Sequence, residues 1–523
     1  MRGTLLPSAV FSIAVLAACG SNHNAGQSVC DNVVPAPAAC MQACDPAPGA
    51  ANTCPAGYHC TPDGKCDAVC TAGGSECGDG FTCTSNGQCQ QIGACEGIQC
   101  NIVACQAMGM PATTISGKVY APNGTLPLYG VQVYVPLHTV GDLPTGAICS
   151  KCADTPLGDP IANDITKEDG TFSLQNVPAG VNIPVVIVSG KWRRIIKVST
   201  VAQCTDTALG AADTSLPKSM SDMTANTVSV NMPKIAISTG SADALECLFR
   251  KLGIADSEIG TAGGTQRIHM YTDASSAGQG ADQFTAGFPG GSGNFSDSQT
   301  ALWDSADHLK AYDAVILSCE GQQAANTKTQ PALDAMKAYA DFGGRVFASH
   351  WHNIWIEGAT QGGSGNMGQK PGVWPTIATW TDNDNNSPTK DLIDEVNSPK
   401  GMSFATWMLD VGGSTVRDEV AISNGKSTLT GVDLTKAERW VTSATNPRPP
   451  QIIQFTTPNE VAAADRCGKV VFSDMHVSGD SHSNSGGNNN AFPNGCAAGD
   501  LKPQEKALAF MLFDLSSCVG AIF

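Results

Sequence analysis

The segment Tyr312–His350, YDAVILSCEGQQAANTKTQPALDAMKAYADFGGRVFASH, decides the fold of the C-terminal half of the chain. Ala314–Ser318 is an apolar run of the length of a buried strand. Gln330–Phe342 has apolar residues at helical spacing and is closed by two glycines, and Arg345–Ser349 is a second apolar strand. This strand–helix–strand order predicts an α/β sheet.

The same alternation extends to both sides of this segment. Further strands are predicted at Arg267–Thr272, Gln451–Phe455 and Lys469–Ser473, and a last amphipathic helix at Pro503–Leu515. Residues 236–523 are therefore assigned to one α/β domain with a flavodoxin-like open sheet.

Tyr312–Leu317, the helix after it and Gly343–His350 together resemble the class I glutamine amidotransferase-like fold, and within it the ThuA-like branch. In that branch, histidine-containing loops follow the strand after the glycine pair and a late strand, and His350 and His476 match these places. The family's nucleophilic cysteine has no counterpart, because the turn reads Ala348-Ser349-His350-Trp351. The resemblance therefore implies a degenerate domain without glutaminase activity, and an enzyme is the less favoured class. Ser349 is an alternative nucleophile, although a serine beside bulky residues more often just ends a strand.

Histidines cluster at two predicted strand ends: His350 and His352 in SHWH, then His476 and His482 after Asp474 in DMHVSGDSH. Open α/β sheets bind ligands at the carboxyl ends of their strands, so these five side chains are candidates for one crevice. They would hold zinc or another divalent metal, or act as general acid and base. Hydrogen-bonded loop residues in a decayed active site are the alternative. We expect His350 and His352 to converge only if the strand ends between them.

The N-terminus decides the compartment. Arg2 and the apolar run Ser8–Ala17 are typical of a signal peptide, here residues 1–18, and the run is too short to span a bilayer. Leu16–Gly20 resembles the lipobox of bacterial lipoproteins, in which the cysteine, here Cys19, is lipidated and becomes the first mature residue. Gly20 is not the aspartate linked in that family to inner-membrane retention, which favours the outer membrane or the cell surface. Plain secretion is the alternative.

A cysteine-rich region follows a tether assigned to residues 19–51. Thirteen cysteines lie within Cys30–Cys105, and the spacing Cys-x5-Cys-x5-Cys occurs at both Cys54–Cys66 and Cys77–Cys89. Asp63-Gly64 and Asn86-Gly87 take equivalent places and favour hairpin turns. The module, residues 52–111, resembles small EGF-like modules held by disulfides. Metal binding is the alternative, but the spacing is not the paired CxxC of a zinc site.

Residues 112–235 have the pattern of a β-sandwich. Thr114–Tyr120 and Val131–Val135 alternate as half-buried strands do, and Ile183–Val188 is a later strand. Asp169–Leu174 (DGTFSL) followed by Val177–Gly180 (VPAG) resembles the carboxypeptidase regulatory-like, or transthyretin-like, seven-stranded sandwich. That resemblance implies a structural or binding domain without catalysis of its own.

Twenty-two cysteines indicate an oxidising compartment. Removing Cys19 leaves an odd number, and Cys319, in an apolar run, is the candidate for a free, buried thiol. Because the N-terminal cluster holds an odd number of cysteines, thirteen, one disulfide must then join this cluster to a cysteine in the rest of the chain. An insertion at Gly141–Asp164 carries Cys149 and Cys152, for which structural disulfides are favoured over a redox motif.

Composition restricts the partners. A net charge of −17 with 15% charged residues argues against nucleic acid. Seven of the eight tryptophans lie within Trp303–Trp440, where they would stack on sugars or fill a core. Asp382–Asn386 begins like a calcium loop but lacks its glycine and glutamate, so a polar turn is favoured.

The favoured function is a non-catalytic surface protein that binds a glycan or protein ligand and attaches to the membrane through its lipid. A metal-dependent hydrolase of extracellular carbohydrate and a purely structural envelope protein are the alternatives.

Overall fold

The computed structural model describes residues 28, 30, 38–46, 53–55, 58–68, 70, 81–83, 87, 89–91, 95–361, 368–384, 388–423, 425–477 and 491–520. Two compact units result, Met1–Glu96 and Gly97–Phe523. The protein is multidomain, and most of its regular structure is β-strand arranged in several sheets. The predicted signal peptide, Cys19 and His482 lie outside the described residues.

The first unit contains two cysteine-rich hairpins. Strands β1 (His59–Cys60) and β2 (Cys66–Asp67) pair antiparallel, as do β3 (Phe81–Cys83) and β4 (Cys89–Gln91). Both predicted hairpins are confirmed. Gly64 has φ 73°, a conformation that favours glycine, which explains the Asp-Gly pair in the connection. Disulfides join Cys30–Cys40, Cys44–Cys60, Cys54–Cys66 and Cys70–Cys83, and a 3-10 turn spans Ala38–Met41.

Two facing sheets make up the first part of the second unit. The strands are β5 (Thr114–Lys118), β6 (Gln132–Pro136), β7 (Pro160–Ile165), β8 (Thr171–Gln175), β9 (Gly180–Ser189), β10 (Trp192–Val201), β11 (Asp206–Ala208) and β12 (Thr227–Asn231). One sheet has the order β12-β10-β9-β6-β7 and the other β11-β5-β8. Ile115 of β5 and Val185 of β9 belong to one buried cluster, so the alternation read from the sequence buries one face of each sheet. Short helices lie at Gly97–Asn101, Cys105–Met108 and Ala211–Thr214 (α1).

A mixed sheet organises the rest of the chain. Its strands are β13 (Ile235–Thr239), β14 (Ile259–Thr261), β15 (Ile268–Thr272), β16 (Ser296–Asp297), β17 (Ala314–Leu317), β18 (Arg345–Ser349), β20 (Lys390–Ile393), β21 (Glu419–Ala421), β23 (Glu438–Ser443), β24 (Pro450–Thr457) and β25 (Gly468–Ser473), while β19 (Ala378–Trp380) and β22 (Leu429–Val432) pair separately. The order is β14-β15-β13-β17-β18-β25-β24-β23-β20-β21. Neighbours from β14 to β25 in this order are parallel, and the remaining pairs are antiparallel. The predicted strands 267–272, 314–318, 345–349, 451–455 and 469–473 are confirmed to within two residues.

Helices connect these strands. They are α2 (Leu245–Lys251), α3 (Ser298–Ala301), α4 (Ala306–Lys310), α5 (Gln330–Phe342), α6 (Ile354–Glu357), α7 (Gly401–Asp410) and α8 (Pro503–Ser516), with 3-10 turns at Asp256–Glu258, His350–Asn353, Trp374–Thr376 and Ala463–Asp465. The predicted helices at 330–342 and 503–515 are confirmed. Among the described residues, no helix is both long and apolar enough to cross a membrane.

The parallel strands are buried on both faces. Ile235 and Ile237 of β13 pack in one hydrophobic cluster with residues of α2 and α8, whereas Ala236 packs in a second cluster with residues of α5. Because successive side chains alternate across a strand, strands covered on both sides must be apolar throughout, as these are. The tryptophans take part in this packing: Trp303, Trp355, Trp374, Trp407 and Trp440 are at most 1% exposed. They are core residues, so the interpretation of these five as a sugar-stacking surface is corrected.

The disulfides of the described residues agree with the predicted pairing of the cysteines. Cys319 is free and buried within the described part of the chain, as predicted. Cys105 pairs with Cys204, which is the predicted bond between the N-terminal cluster and the rest. Cys149 and Cys152 form structural disulfides with distant partners, Cys467 and Cys518.

Candidate functional site

Three neighbouring parallel strands bring a thiol and two imidazoles together. Cys319 lies two residues after β17, His350 directly after β18, and His476 three residues after β25. Parallel strands end at the same edge of a sheet, so these loops meet. One potential ligand atom from each residue lies within 4.8 Å of the other two, and all three side chains are buried.

His350 is held in a strained backbone conformation. Its φ is 45°, in the left-handed region, at the turn where β18 passes into the 3-10 turn His350–Asn353. This turn directs the imidazole toward its two partners: Nδ1 is 3.3 Å from Cys319 Sγ, and the ring centroid is 5.2 Å from that of His476. The strand therefore ends before His350, one residue earlier than convergence with His352 would need.

Cys319 is a buried thiol and a poor nucleophile. Burial raises its pKa far above the usual range, although the backbone N–H groups of Trp351 and Gly321 oppose this shift by pointing at the sulfur. The Gly321 N–H donates to Sγ at 3.3 Å. A thiol that stays protonated cannot attack a substrate, but a bound cation would stabilise its thiolate.

His476 is the most unusual side chain of the three. It is fully buried, and neither ring nitrogen has a hydrogen-bond partner among the described residues. Burial lowers the pKa of the ring, while the Asp243 carboxylate and the Ala242 backbone oppose the shift. The Ala242 backbone lies near the ring without meeting the geometry of a hydrogen bond. Leaving a buried polar atom unpaired costs about 1–3 kcal/mol, so both nitrogens of this ring are candidates for binding a ligand.

Asp243 fixes the loops around this cluster. Its Oδ2 accepts a 2.6 Å hydrogen bond from the Ser349 hydroxyl, and its Oδ1 accepts one of 2.8 Å from the Val477 N–H. The carboxylate thereby links the loop after β13 to the ends of β18 and β25. Ser349 is fully buried and its hydroxyl donates to this carboxylate, so its position is that of a structural residue.

A second carboxylate lies on the other side of His350. Asp384 Oδ2 is 3.4 Å from His350 Nε2 and 3.5 Å from Lys426 Nζ. His350 Nε2 makes no hydrogen bond within the described residues. Burial lowers the pKa of the His350 ring well below its ordinary value, so Asp384 lies beside a neutral imidazole. The sequence pattern had placed Asp384 in a polar turn, and nothing local in DNDNN pointed to His350.

The other histidine and the aspartate of the predicted set do not join the cluster. His352 uses both nitrogens elsewhere: Nε2 donates to the Ser318 carbonyl at 2.9 Å, and Nδ1 accepts from Trp355 Nε1 at 3.0 Å. Asp474 accepts from the Thr428 hydroxyl and from the N–H groups of Thr428 and Leu429. The five-residue set is therefore corrected to His350 and His476, joined by Cys319, with His482 outside the described residues.

One glycine permits this arrangement. A Cβ built on Gly240, at the end of β13, would lie 2.2 Å from the Cys319 carbonyl oxygen. The two loops approach so closely only because residue 240 has no side chain.

A charged network lies next to Cys319. Lys328 Nζ donates to Glu320 Oε2 at 2.9 Å and to Asp273 Oδ2 at 3.1 Å, and all three side chains are at most 2% exposed. Burial raises the pKa of Glu320 to about 7, against the effect of the Lys328 charge. The ammonium group joins the two ends of the loop that carries Cys319.

A buried carboxyl on β20 predicts a pH-dependent stability. Asp391 is fully buried with both oxygens unpaired among the described residues, and burial, followed by the nearby Asp474, raises its pKa to about 8. An unfolded aspartate titrates near about 3.9, so the folded state holds this proton more tightly and loses stability as pH rises from about 4 to 8. Asp391→Asn is expected to raise the unfolding free energy by about 2–5 kcal/mol at pH 8 and by little at pH 4.

Urea unfolding at both pH values would test this, with the largely exposed Asp307→Asn as control. An equal effect of Asp391→Asn at pH 4 and pH 8 would contradict the assignment.

Comparisons with known proteins give few matches. No model of a known protein family matches the chain, and no curated protein matches it. Two solved structures are similar over 25% of this chain: a C-terminal and an N-terminal interface mutant of a type II cohesin–X-dockerin complex from Acetivibrio cellulolyticus. The identities are 20% and 18%, the matches cover 78% and 79% of those chains, and the TM-score is 0.15 for both. At this TM-score the similarity supports no conclusion about function.

Proposed function

We propose that the protein is an exported metal-binding protein whose C-terminal domain holds one ion through Cys319 Sγ and the rings of His350 and His476. The observation that carries the proposal is the His476 ring, which is fully buried, has no hydrogen-bond partner within the described residues and lies beside a buried thiol and a second imidazole. A cation bound there would satisfy the orphan nitrogens and the thiolate together.

Zinc is the favoured ion. One thiolate and two imidazoles suit zinc or copper better than calcium or magnesium, which take oxygen ligands. In a tetrahedral zinc site a sulfur and a nitrogen ligand lie about 3.6 Å apart, close to the 3.3 Å between Cys319 Sγ and His350 Nδ1. Only small side-chain movements are needed.

Three protein ligands leave one coordination position free. Such an open position is typical of catalytic zinc, so a metal-dependent hydrolase is the second candidate, and carbohydrate its proposed substrate class. A role confined to surface adhesion or to envelope structure is less favoured, because neither explains buried imidazoles without partners.

The place of the site fits an open α/β sheet. With β13, β15, β17, β18 and β25 counted as strands one to five, the order is 2-1-3-4-5, which supports a flavodoxin-like domain. The cluster then lies beside the switch point between the first and third strands, where such sheets bind ligands.

The compartment follows from the disulfides, which fit an exported protein. Attachment to the outer membrane or cell surface through a lipid on Cys19 remains part of the proposal. It is supported by the sequence of residues 1–20.

Metal analysis tests the proposal. Mature protein starting at Gly20, folded with its disulfides, is expected to contain or take up one zinc per chain, and His350→Ala/His476→Ala is expected to take up none. His308→Ala, which removes an exposed histidine, should keep the full content. Equal metal content in the double variant and the wild type, with near-ultraviolet circular dichroism confirming the fold, would overturn the proposal.

A further inference from the structure

The insertion predicted at Gly141–Asp164 takes no part in the proposed metal site. Most of it lies in the loop between β6 and β7, residues 137–159, which is bonded to later parts of the chain through Cys149–Cys467 and Cys152–Cys518. Two bonds within four residues hold this loop over the outer face of the β12-β10-β9-β6-β7 sheet.

A cavity of about 390 Å³ lies beneath this loop. Its floor is one cross-strand row of the sheet, in which Arg193 pairs with Val188, Val188 with Gln132, and Gln132 with Ile165. Tyr134, two residues along β6, lies on the same face. The cover comes from the insertion and the chain end; it includes Leu143, Pro144, Ile148, Pro156, Leu157 and Cys518. A volume of this size suits a small organic molecule, and most of the lining is apolar.

Arg193 is a buried cation without a counter-ion. The residue is 4% exposed, and its one hydrogen bond within the described residues runs from Nη1 to the Gly141 carbonyl at 2.8 Å. Nε is buried with no partner in this part of the chain. No carboxylate of the described residues lies within 4 Å of the guanidinium, and Asp142 acts on it only from farther away. Burying a charged guanidinium without a counter-ion destabilises the folded protein by several kcal/mol.

The other polar groups of the cavity do not supply that charge. Burial raises the pKa of Tyr134 to about 12, so the phenol is neutral, and its hydroxyl donates to the Leu157 carbonyl at 2.9 Å. Lys151 Nζ donates to the Ala464 carbonyl, and Asp154 Oδ2 accepts from the Lys151 N–H. Besides Arg193, the lining thus holds one more cation, Lys151, and one carboxylate, Asp154, and neither forms an ion pair with Arg193.

We propose that this cavity binds a small organic carboxylate, with the carboxylate group on the Arg193 guanidinium and the apolar body between Val188, Ile165 and the loop. A guanidinium binds carboxylates through charge-assisted hydrogen bonds, and Arg193 lines the cavity. The insertion, held by its two disulfides, forms part of the cavity wall beside this pair. None of the metal-site residues lines the cavity, so the two sites are independent of each other.

Isothermal titration calorimetry with 3-phenylpropionate, octanoate, the uncharged 3-phenylpropanamide and inorganic phosphate tests the proposal on the full mature protein. At least one of the two carboxylates is expected to bind with one-to-one stoichiometry, and the amide is expected to bind about 10-fold more weakly or not at all. Binding of amide and carboxylate with equal affinity would overturn the proposal, as would the absence of binding by both carboxylates. Binding of phosphate alone would overturn the assignment to an organic carboxylate.

Two variants test the Arg193 charge and the volume of the cavity separately. Arg193→Gln is expected to weaken carboxylate binding about 10-fold or more, through loss of the charge-assisted hydrogen bonds. Val188→Phe keeps the guanidinium but fills the cavity, and it should also prevent binding. Arg417→Gln, which changes a half-exposed arginine paired with Glu395, is the control and should bind like the wild type. Wild-type affinity in a folded Arg193→Gln or Val188→Phe protein would contradict the assignment.

Discussion

Zinc is expected to stabilise the folded protein, and Cys319→Ser is expected to abolish that effect. A ligand that binds only the folded state adds a free energy that grows with its concentration, about 4 kcal/mol at 1,000 times its Kd. The site supports this expectation because Cys319, His350 and His476 come from three loops that meet only in the folded chain. Serine keeps the size of the side chain but offers no thiolate to the ion.

The measurement is denaturant unfolding of metal-free mature protein with and without added zinc, followed for wild type and Cys319→Ser. His308→Ala should show the full wild-type gain, because that ring is exposed and remote from the cluster. Cobalt gives a second readout, since a thiolate-to-cobalt absorption band should appear in the wild type and be missing in Cys319→Ser. Equal stabilisation of wild type and Cys319→Ser, or cobalt binding without that band, would remove Cys319 from the ligand set.

Lys328→Met is expected to destabilise the protein more than any single change at its surface. It leaves Asp273 and Glu320 buried without their cation, and removing one partner of a buried ion pair costs about 3–5 kcal/mol. The desolvation of Lys328 lowers its pKa, but the two carboxylates outweigh this and raise it, so Lys328 is charged at neutral pH. The same change should loosen the loop that carries Cys319.

Urea unfolding at pH 7 measures this effect, with Trp303, which lies under the Lys328 ammonium group, as one fluorescent probe. Lys390→Met is the control, because Lys390 pairs with Glu419 at an exposed position, where such pairs contribute about 0–1 kcal/mol. The triple variant Lys328→Met/Asp273→Asn/Glu320→Gln should recover part of the loss by removing the unpaired charges. A loss below about 1 kcal/mol in Lys328→Met would show that the buried network does not hold its charges.

Local patterns predicted the strands and helices of the second unit that have the clearest sequence periods. Helix α5 was bounded by its apolar spacing and its closing glycine pair, and β17 and β18 by their apolar runs, because these signals act over a few residues. The antiparallel strands β20, β21 and β23 were not predicted. They are short and carry polar residues such as Asp391, so no clear period distinguishes them from loops.

The candidate site was predicted only in part. The position of His350 and His476 at the ends of apolar strands was enough to bring them together. Asp243 and Asp384 were missed, because each lies in a loop whose own residues give no sign of the strand end that it contacts. His352 was included wrongly in the cluster, because its two hydrogen bonds depend on Ser318 and Trp355.

The sequence by itself determined where the most regular strands and helices form, which cysteine stays free and that one disulfide must join the N-terminal cluster to the rest of the chain. Hydrophobic periodicity and turn residues act over a few neighbouring residues, and the number of cysteines can be counted. None of these signals depends on contacts between distant parts of the chain. Only the tertiary structure decided that Cys319, and not His352 or Asp474, completes the pair of imidazoles. It also decided that Arg193 lies without a counter-ion beneath a loop bonded to distant parts of the chain. Both depend on contacts between residues far apart in the chain, where burial and the lack of a partner arise from the packing of whole strands.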